Sequence, residues 1–407
     1  MTNKTADAAH VVVIGAGMAG ARLAARVPGV TVIGEETHAP YNRVLLAEVL
    51  AGRYAAQVIA LPPAEVWRGV RAVRIDRADR LVHCDDGSVV RYGRLVLATG
   101  SNPVLPPLRG LGSTMPDGVH AFRTLDDCLA LREAVRAGTG TVRAVVIGGG
   151  LLGVSAARAL ATSGAQVVLA QQGEHLMERQ LDTESAGLLR RHLEGLGVEV
   201  HTECRVRGLR CADGAVRAVE LADGYELAAE ITVLACGVRP RTGLAQAAGL
   251  DVRKGIVVDD ELRTGDPYIH AVGDCAEHRG TVYGLAGPAL EQADVLAEVL
   301  AGRPARYEGT RALTRLTLHG PAAGPAGPFD LAAFGESRPL PGDDVIRLAD
   351  ATRGAYRSVV VRGDRLAGGV LLGDLAAVGT LARTWEDDEP LPAETSLLHL
   401  LTNDGGF

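Results

Sequence analysis

Aromatic residues make up only 3% of this 407-residue chain, and lysine occurs only at Lys4 and Lys254. Nearly all positive charge is therefore arginine, the side chain best suited to forked contacts with carboxylates and phosphates; the abundant alanine beside it points to base composition as the source. No run of about 18 apolar residues occurs, so no membrane-spanning helix is expected. The polar start Met1–His10 gives way to an apolar run, Val11–Ile14, that breaks at Gly15; this is too short for the core of a secretory leader. None of Cys84, Cys128, Cys204, Cys211, Cys236 and Cys275 is spaced as CxxC or CxxxxC, which argues against a structural zinc and against a thiol redox pair. Six scattered cysteines suit a reducing cytosol. A net charge of −7 leaves no basic field to draw the chain to nucleic acid or anionic lipid.

The rest of the composition, 47% apolar and 22% charged, is that of a globular protein, and the length favours two or three domains. The β-branched run Val11-Val12-Val13-Ile14 reads as a buried parallel strand. It leads into Gly15-Ala16-Gly17-Met18-Ala19-Gly20, a helical stretch to Pro28-Gly29, and a second strand, Val30–Ile33, ending at Glu35-Glu36. That is a strand–helix–strand unit. Short alternating runs from Val70, with a turn at Asp85-Asp86-Gly87, read as a meander closing on Leu95–Gly100. The whole pattern then recurs. Val145–Ile147 leads into Gly148-Gly149-Gly150-Leu151-Leu152-Gly153, a helix to about Ser163, and a strand, Gln166–Ala170, ending at Gln171-Gln172. A second meander turns at Asp213-Gly214 and closes on Thr232–Gly237. The two leading glycines, Gly15 and Gly148, lie 133 residues apart, which predicts two similar domains. Ile269–Asp274 reads as a further strand ending in an acid, and Gly287-Pro288 opens a helix to about Leu300. From about Thr310 the tail reads as a smaller α+β unit, with Pro321–Pro328 as a long hairpin loop.

Gly15, Gly17 and Gly20 follow a strand and open a helix, the context in which GxGxxG binds a dinucleotide: tight turn, close approach to pyrophosphate, and helix packed on strand. Glu35 and Glu36 lie where an acid takes a ribose hydroxyl. Gly148, Gly150 and Gly153 meet the same test, but Gln171 ends that strand, so NAD and NADP both remain open. Two dinucleotide sites on one chain imply a relay, with FAD held in the first and a nicotinamide nucleotide exchanging at the second.

On these motifs, and on Tyr41-Asn42-Arg43-Val44-Leu45-Leu46, Leu176-Met177-Glu178-Arg179-Gln180-Leu181-Asp182, Gly237-Val238-Arg239-Pro240, Ala271–His278, Tyr283-Gly284-Leu285 and Gly368–Asp374, the chain resembles the FAD-dependent pyridine nucleotide oxidoreductases of the rubredoxin and ferredoxin reductase type. Within that group it is most similar to the FAD-containing electron-transfer part of assimilatory NAD(P)H nitrite reductases. The resemblance implies an α/β fold of two Rossmann-like, three-layer ββα nucleotide-binding domains, one inserted in the other, plus a C-terminal α+β interface domain. The expected division is 1–118 with 240–308 for FAD, 119–239 for NAD(P)H and 309–407 for the interface domain. By the same similarity Arg43 contacts the FAD diphosphate, Val73 sits by the adenine, Thr99 and Gly100 lie against the flavin nucleotide, and Arg123 reaches FAD from the chain crossover. Asp274 hydrogen-bonds the ribityl chain, Gly273 beside it also belongs to the cofactor site, and the helix at Pro288 points its N-terminus at flavin N1 and O2. Gly15 to Gly20 cradle the first nucleotide; Gly148, Gly150, Leu151, Leu152, Gly153, Gln171 and Gly237 serve the second.

The chain also departs from that pattern. Ser155 stands where such reductases usually carry a glutamate near the nicotinamide, Glu48 where they often carry a lysine, and Arg241 where asparagine commonly follows Arg-Pro. No cysteine lies between Gly20 and Cys84, so the thiol chemistry of NADH oxidases, peroxidases and coenzyme A disulfide reductases is not expected, nor is a redox-active disulfide. No cysteine-rich iron–sulfur or sirohaem region follows, so electrons are expected to leave to a separate acceptor: a nitrite reductase component, a ferredoxin or a rubredoxin-like protein. His10, His38, His83, His120 and His192 read as loop or surface groups, and His278, trailing Asp274, as one to examine. No metal, nucleic acid or membrane partner is expected; the protein is expected in the cytoplasm, as a monomer or homodimer. A flavin-binding interaction protein without catalysis, and a flavin oxidase or monooxygenase acting on a small molecule, remain as alternatives.

Overall fold

The computed structural model describes residues 10–392 and Leu401, apart from residues 63, 64, 139, 312, 321–327, 351 and 353. Its helices are α1 (Met18–Arg26), α2 (Leu46–Leu50), α3 (Leu125–Ala137), α4 (Leu151–Thr162), α5 (Thr183–Gly195), α6 (Gly243–Ala247), α7 (Ala286–Leu300) and α8 (Val378–Glu386).

The duplicated sequence pattern becomes two parallel five-stranded sheets with the same strand order. In the first, Val11–Ile14 lies at the centre, flanked by Arg94–Leu97 and Thr31–Gly34, with Ile269–Ala271 and Val66–Arg68 outermost. In the second, Arg143–Ile147 is central, flanked by Ile231–Leu234 and Gln166–Ala170, with Val119–Ala121 and Val198–His201 outermost. Both central strands are buried on both faces, which is why their sequences run apolar without alternation. Each sheet is followed by an antiparallel meander, Ala72–Arg91 in the first copy and Val206–Ala228 in the second. The turn at Asp213-Gly214 has positive φ at both residues, the conformation that a tight two-residue hairpin needs.

The outermost strands are traded across the chain. The first sheet takes Ile269–Ala271 from beyond the second copy, and the second takes Val119–Ala121 from before it. Ser101–Pro103 pairs antiparallel with Val238–Pro240, so the segments leaving the two repeats are hydrogen-bonded to each other. The tail forms a third sheet of five antiparallel strands with α8 against it. Thr314–Leu318 and Phe329–Gly335 pair as the expected hairpin, although residues 321–327 of its loop lie outside the described residues. One apolar core joins residues of α2, α4 and α5 to Leu318, Leu331, Tyr356 and Leu372 of this sheet. Among the described residues no helix is long and apolar enough to cross a membrane.

The second strand runs Thr31–Gly34, one residue beyond the expected Val30–Ile33. His83, His120 and His192 do not sit in loops. The first two lie on strands and the third on α5, where the ring of His192 stacks on Phe329 at 4.8 Å. An amphipathic helix carries a histidine inward as readily as outward when an aromatic ring awaits it.

Candidate functional site

A cleft of about 1150 Å³ runs along the C-terminal ends of the first sheet's strands and reaches the start of α4. Fifteen of the predicted residues line it: Gly15, Ala16, Gly17, Met18, Ala19, Glu35, Glu36, Arg43, Thr99, Gly100, Arg123, Leu151, Leu152, Gly273 and Asp274. Ligands gather at this end of a parallel sheet because loops and helix N-termini converge there.

The first glycine loop is built by two close approaches. A side chain at Gly15, where φ is +113°, would place Cβ 2.1 Å from the Ala98 carbonyl oxygen; at Gly20 it would lie 1.9 Å from the oxygen of Gly15. The first glycine thus lets the turn fold over the neighbouring strand, and the third lets α1 rest on the loop. Gly17 is the N-cap of α1 and supplies no side-chain acceptor. Its missing Cβ faces open space out to Arg43 Nε at 3.9 Å. Unpaired N–H groups at the positive end of α1, with a guanidinium above them, make an anion site.

The second loop repeats these dimensions. Gly148 has φ +108° and a Cβ there would meet the Ala235 oxygen at 2.5 Å; a Cβ at Gly153 would meet the oxygen of Gly148 at 1.7 Å. Gly150 caps α4 without a side chain and faces open space. Leu151, Leu152 and Ser155 of α4 reach the cleft wall, while Gly148, Gly150, Gly153 and Gln171 do not line it. Gln171 Oε1 accepts the Gly149 N–H at 2.7 Å. The carboxylate of Glu178 sits beside it, filling the space that a Cβ on Gly173 would occupy and accepting the Glu174 N–H at 3.0 Å. This strand end therefore does have an acid nearby, seven residues beyond the position where one was sought.

A polar network ties the cleft walls together. Arg43 is ion-paired with Glu36 and donates to the Arg123 carbonyl at 3.0 Å. Tyr41 donates to Glu36 Oε2 at 2.6 Å and accepts the Leu125 N–H at 2.9 Å; burial holds its phenol pKa well above the ordinary value, so the proton stays on to make the bond. Asp274 Oδ2 accepts from both Arg123, at 2.5 Å, and Ser101, at 2.8 Å. Arg241 spans from Glu35 to Asn102 Oδ1, the latter at 2.8 Å, and its carbonyl accepts from Thr99 at 2.7 Å. Glu35 and Glu36 are thus both engaged with arginines. At the cleft's far side, Gly284, Leu285, Ala286 and Ala289 bring the N-terminus of α7 to the wall, and Leu285 caps that helix without a side-chain bond. The Gly273 N–H is fixed by Gln292 Oε1 at 2.7 Å.

Some predicted residues fall elsewhere. Val73 is 47% exposed, and its neighbours Val70, Arg71 and Ala72 form the wall instead. Gly20 lies beneath the loop, and Gly237 immediately precedes the lining residue Val238. His278 is off the wall, fully buried, with Nε2 3.0 Å from Asp260 and its ring 4.9 Å from Tyr307. Glu48 is also off the wall: it is buried and ion-paired with Arg158 of α4. The Ser155 hydroxyl donates to the Leu151 carbonyl at 2.8 Å. Ser101, Asn102, Tyr41, Glu178 and Arg158 carried no site reading in the sequence. The signals were weak: polar residues beside Gly100, and one arginine in an otherwise apolar helix. All six cysteines are free, and burial raises the thiol pKa of Cys236 and Cys275, which keeps both protonated and unreactive.

The open glycine positions and capless helix starts suit a diphosphate nucleotide at each loop, with Arg43 facing the first, and Leu151 and Leu152 bring the second loop's helix to the same cleft. The family model described as "Pyridine nucleotide-disulphide oxidoreductase" matches residues 9–293. The NAD(P)H nitrite reductase of Bacillus subtilis is 34% identical over 96% of this chain and 49% of its own length. The assimilatory nitrate reductase electron transfer subunit of the same organism is 34% identical over 90% of this chain and 48% of its own. The chain spans about half the length of these curated relatives. Among solved structures, the covalent putidaredoxin reductase–putidaredoxin complex superposes with a TM-score of 0.83 at 26% identity, covering 96% of this chain and 98% of that one.

Proposed function

The chain belongs to the pyridine nucleotide-disulphide oxidoreductase family, and we propose that it moves electrons from NADH or NADPH through bound FAD to a one-electron acceptor protein. The observation that carries this reading is the pair of like-built glycine loops, the first lining the cleft and the second opening the helix whose Leu151 and Leu152 reach the same wall. The names of the relatives support the acceptor class: a nitrite reductase, an electron transfer subunit, and a putidaredoxin reductase joined to putidaredoxin. The acceptor is then a nitrite reductase component, a ferredoxin or a rubredoxin-like protein. Residues 1–118 with 240–308 hold FAD, 119–239 hold the nicotinamide nucleotide, and 309–407 form an interface domain. The protein works in the cytoplasm as a monomer or homodimer.

Bound FAD supplies what no side chain here can: acceptance of a hydride equivalent from nicotinamide and release of electrons one at a time. The chain's own residues bind and orient. Arg43, Arg123 and the start of α1 hold the diphosphate. Asp274, pinned through Oδ2 by Arg123 and Ser101, would have its other oxygen left to hold the ribityl hydroxyls. The N-terminus of α7, on the cleft wall, would set its partial positive charge beside a flavin bound there, and so favour that ring's anionic form. Leu151 and Leu152, on the cleft wall, would give the nicotinamide an apolar shelf and help exclude water beside it. One observation favours a second reading, a flavin-binding interaction protein: Ser155 gives α4 a hydroxyl turned back on its own helix and no carboxylate toward the cleft.

Anaerobic titration separates the two. The purified protein is expected to be yellow and to bleach with NADH or NADPH, then to recover its colour when a ferredoxin or rubredoxin is added. A yellow protein whose spectrum neither nicotinamide alters overturns the reductase reading and leaves the interaction protein.

A further inference from the structure

Behind the cleft wall lies a buried polar cluster. Arg158 is 1% exposed and Glu48 8%; their side chains are ion-paired. His319 Nδ1 stands 3.8 Å from Glu48 Oε2, and Arg53 Nε 4.0 Å from the same oxygen. Burial, and then the nearby Arg158 guanidinium, disfavour the imidazolium of His192. Glu48 Oε2, Arg158 Nε, His192 Nε2 and His319 Nδ1 make no hydrogen bond.

Two features set this cluster apart from ordinary packing. Its polar atoms are incompletely paired, and buried ion pairs in general contribute little net stability over apolar replacements. Secondly, the segments that supply Glu48, Arg158 and His319 also supply the cleft wall. Glu48 follows the wall residues Leu46 and Ala47 on α2, a helix that continues directly from the turn bearing Arg43. Arg158 lies one turn beyond Ser155 on α4, the helix that starts at the second glycine loop. His319 follows Arg315 and Leu316, which also line the cleft. Three chain segments far apart in sequence thus meet on the wall and are bolted together just behind it.

We propose that Arg158 and Glu48, with His319 closing the third side, are positioning residues that fix how far the second glycine loop stands from the first, and so set the rate of transfer between the two nucleotides. This deepens the reductase reading and rests on it. Ion pairing gives a register that apolar packing lacks, since α2 and α4 could otherwise slide on their shared alanine and leucine surface.

The test uses the full-length holoprotein with the double substitution Glu48→Met and Arg158→Met, which fills the volume without leaving an uncompensated charge. Flavin content and thermal melting are measured first, and both are expected to stay near wild type. Stopped-flow bleaching at rising nicotinamide concentration then separates the apparent Kd from the limiting rate. The Kd should hold within about twofold while the limiting rate falls at least tenfold. Arg158→Lys, which keeps the charge, should recover most of the rate. A double variant that bleaches at the wild-type limiting rate overturns the proposal, as does one in which Kd alone changes. If the wild-type flavin is not bleached by either nicotinamide, the functional reading itself fails and the proposal with it, an outcome visible without any variant.

Discussion

The duplicated loops allow one substitution to be made twice. At Gly153 an added methyl would stand 1.7 Å from the Gly148 oxygen, and at Gly20 1.9 Å from the Gly15 oxygen, each about half the 3.4 Å at which ordinary contact begins. The obstacle is backbone in both cases, so no side chain can swing aside. Relief requires the helix start to lift from its loop, and overpacking of this kind costs roughly 1–3 kcal/mol. Each 1.4 kcal/mol is about tenfold in binding, so the disturbed loop should lose between about fivefold and a hundredfold in affinity. Gly153→Ala is expected to give a fully yellow protein that binds nicotinamide weakly, seen as a rightward shift in anaerobic bleaching titrations. Gly20→Ala is expected to give a protein that loses flavin on dialysis, measured by absorbance against total protein, with the second loop undisturbed. Melting curves read in parallel identify any global unfolding. Should Gly153→Ala titrate like wild type, or should both variants lose flavin alike, the assignment of one nucleotide to each loop is wrong.

Arg43→Met removes a guanidinium poised over the first loop; a hydrogen bond to a charged group is worth about 1.5–3 kcal/mol, so FAD should dissociate at least tenfold more readily in fluorescence-release assays, and an unchanged Kd would move the diphosphate elsewhere. His270 is buried, and desolvation together with Arg263 and Arg94 holds its pKa at about 4. A histidine depressed in the folded state is protonated first in the unfolded chain. Its contribution is therefore complete above pH 6.5 and lost as pH falls toward 4; His270→Gln should flatten the melting temperature across that window, and an unaltered slope would refute the assignment. Alkylation of the native protein with iodoacetamide should reach the exposed Cys211 and leave the bleaching rate within about twofold, whereas a large loss would reveal a thiol in the relay.

The parts of the fold that could be read in advance are those with a rigid local demand. A central parallel strand must be apolar on both sides, and a glycine loop must have glycine at its first and third positions, so Val11–Gly20 and Arg143–Gly153 announce themselves. What could not be read depends on partners remote in sequence. Glu35 and Glu36 stand at the expected strand end, yet nothing local shows that Arg241 and Arg43 engage them. Val119–Ala121 is a three-residue strand, too short to carry a period, and only a neighbouring sheet edge makes it a strand at all. Arg158 was visible as a lone charge in an apolar helix, but its partner Glu48 lies 110 residues upstream. Val73 was assigned by likeness, and in the structure the wall there is made by the residues just before it.

The traded outer strands bear on how the molecule is made. All five strands of the second sheet fall between Val119 and Leu234, so that unit can close while the ribosome is still adding the remainder of the chain. The first sheet, begun at Val11, waits for Ile269 before its far edge is covered. Its cleft is therefore finished only after the later-born unit has already folded in its midst, and the emerging chain gains a competent pocket for the tightly held nucleotide last.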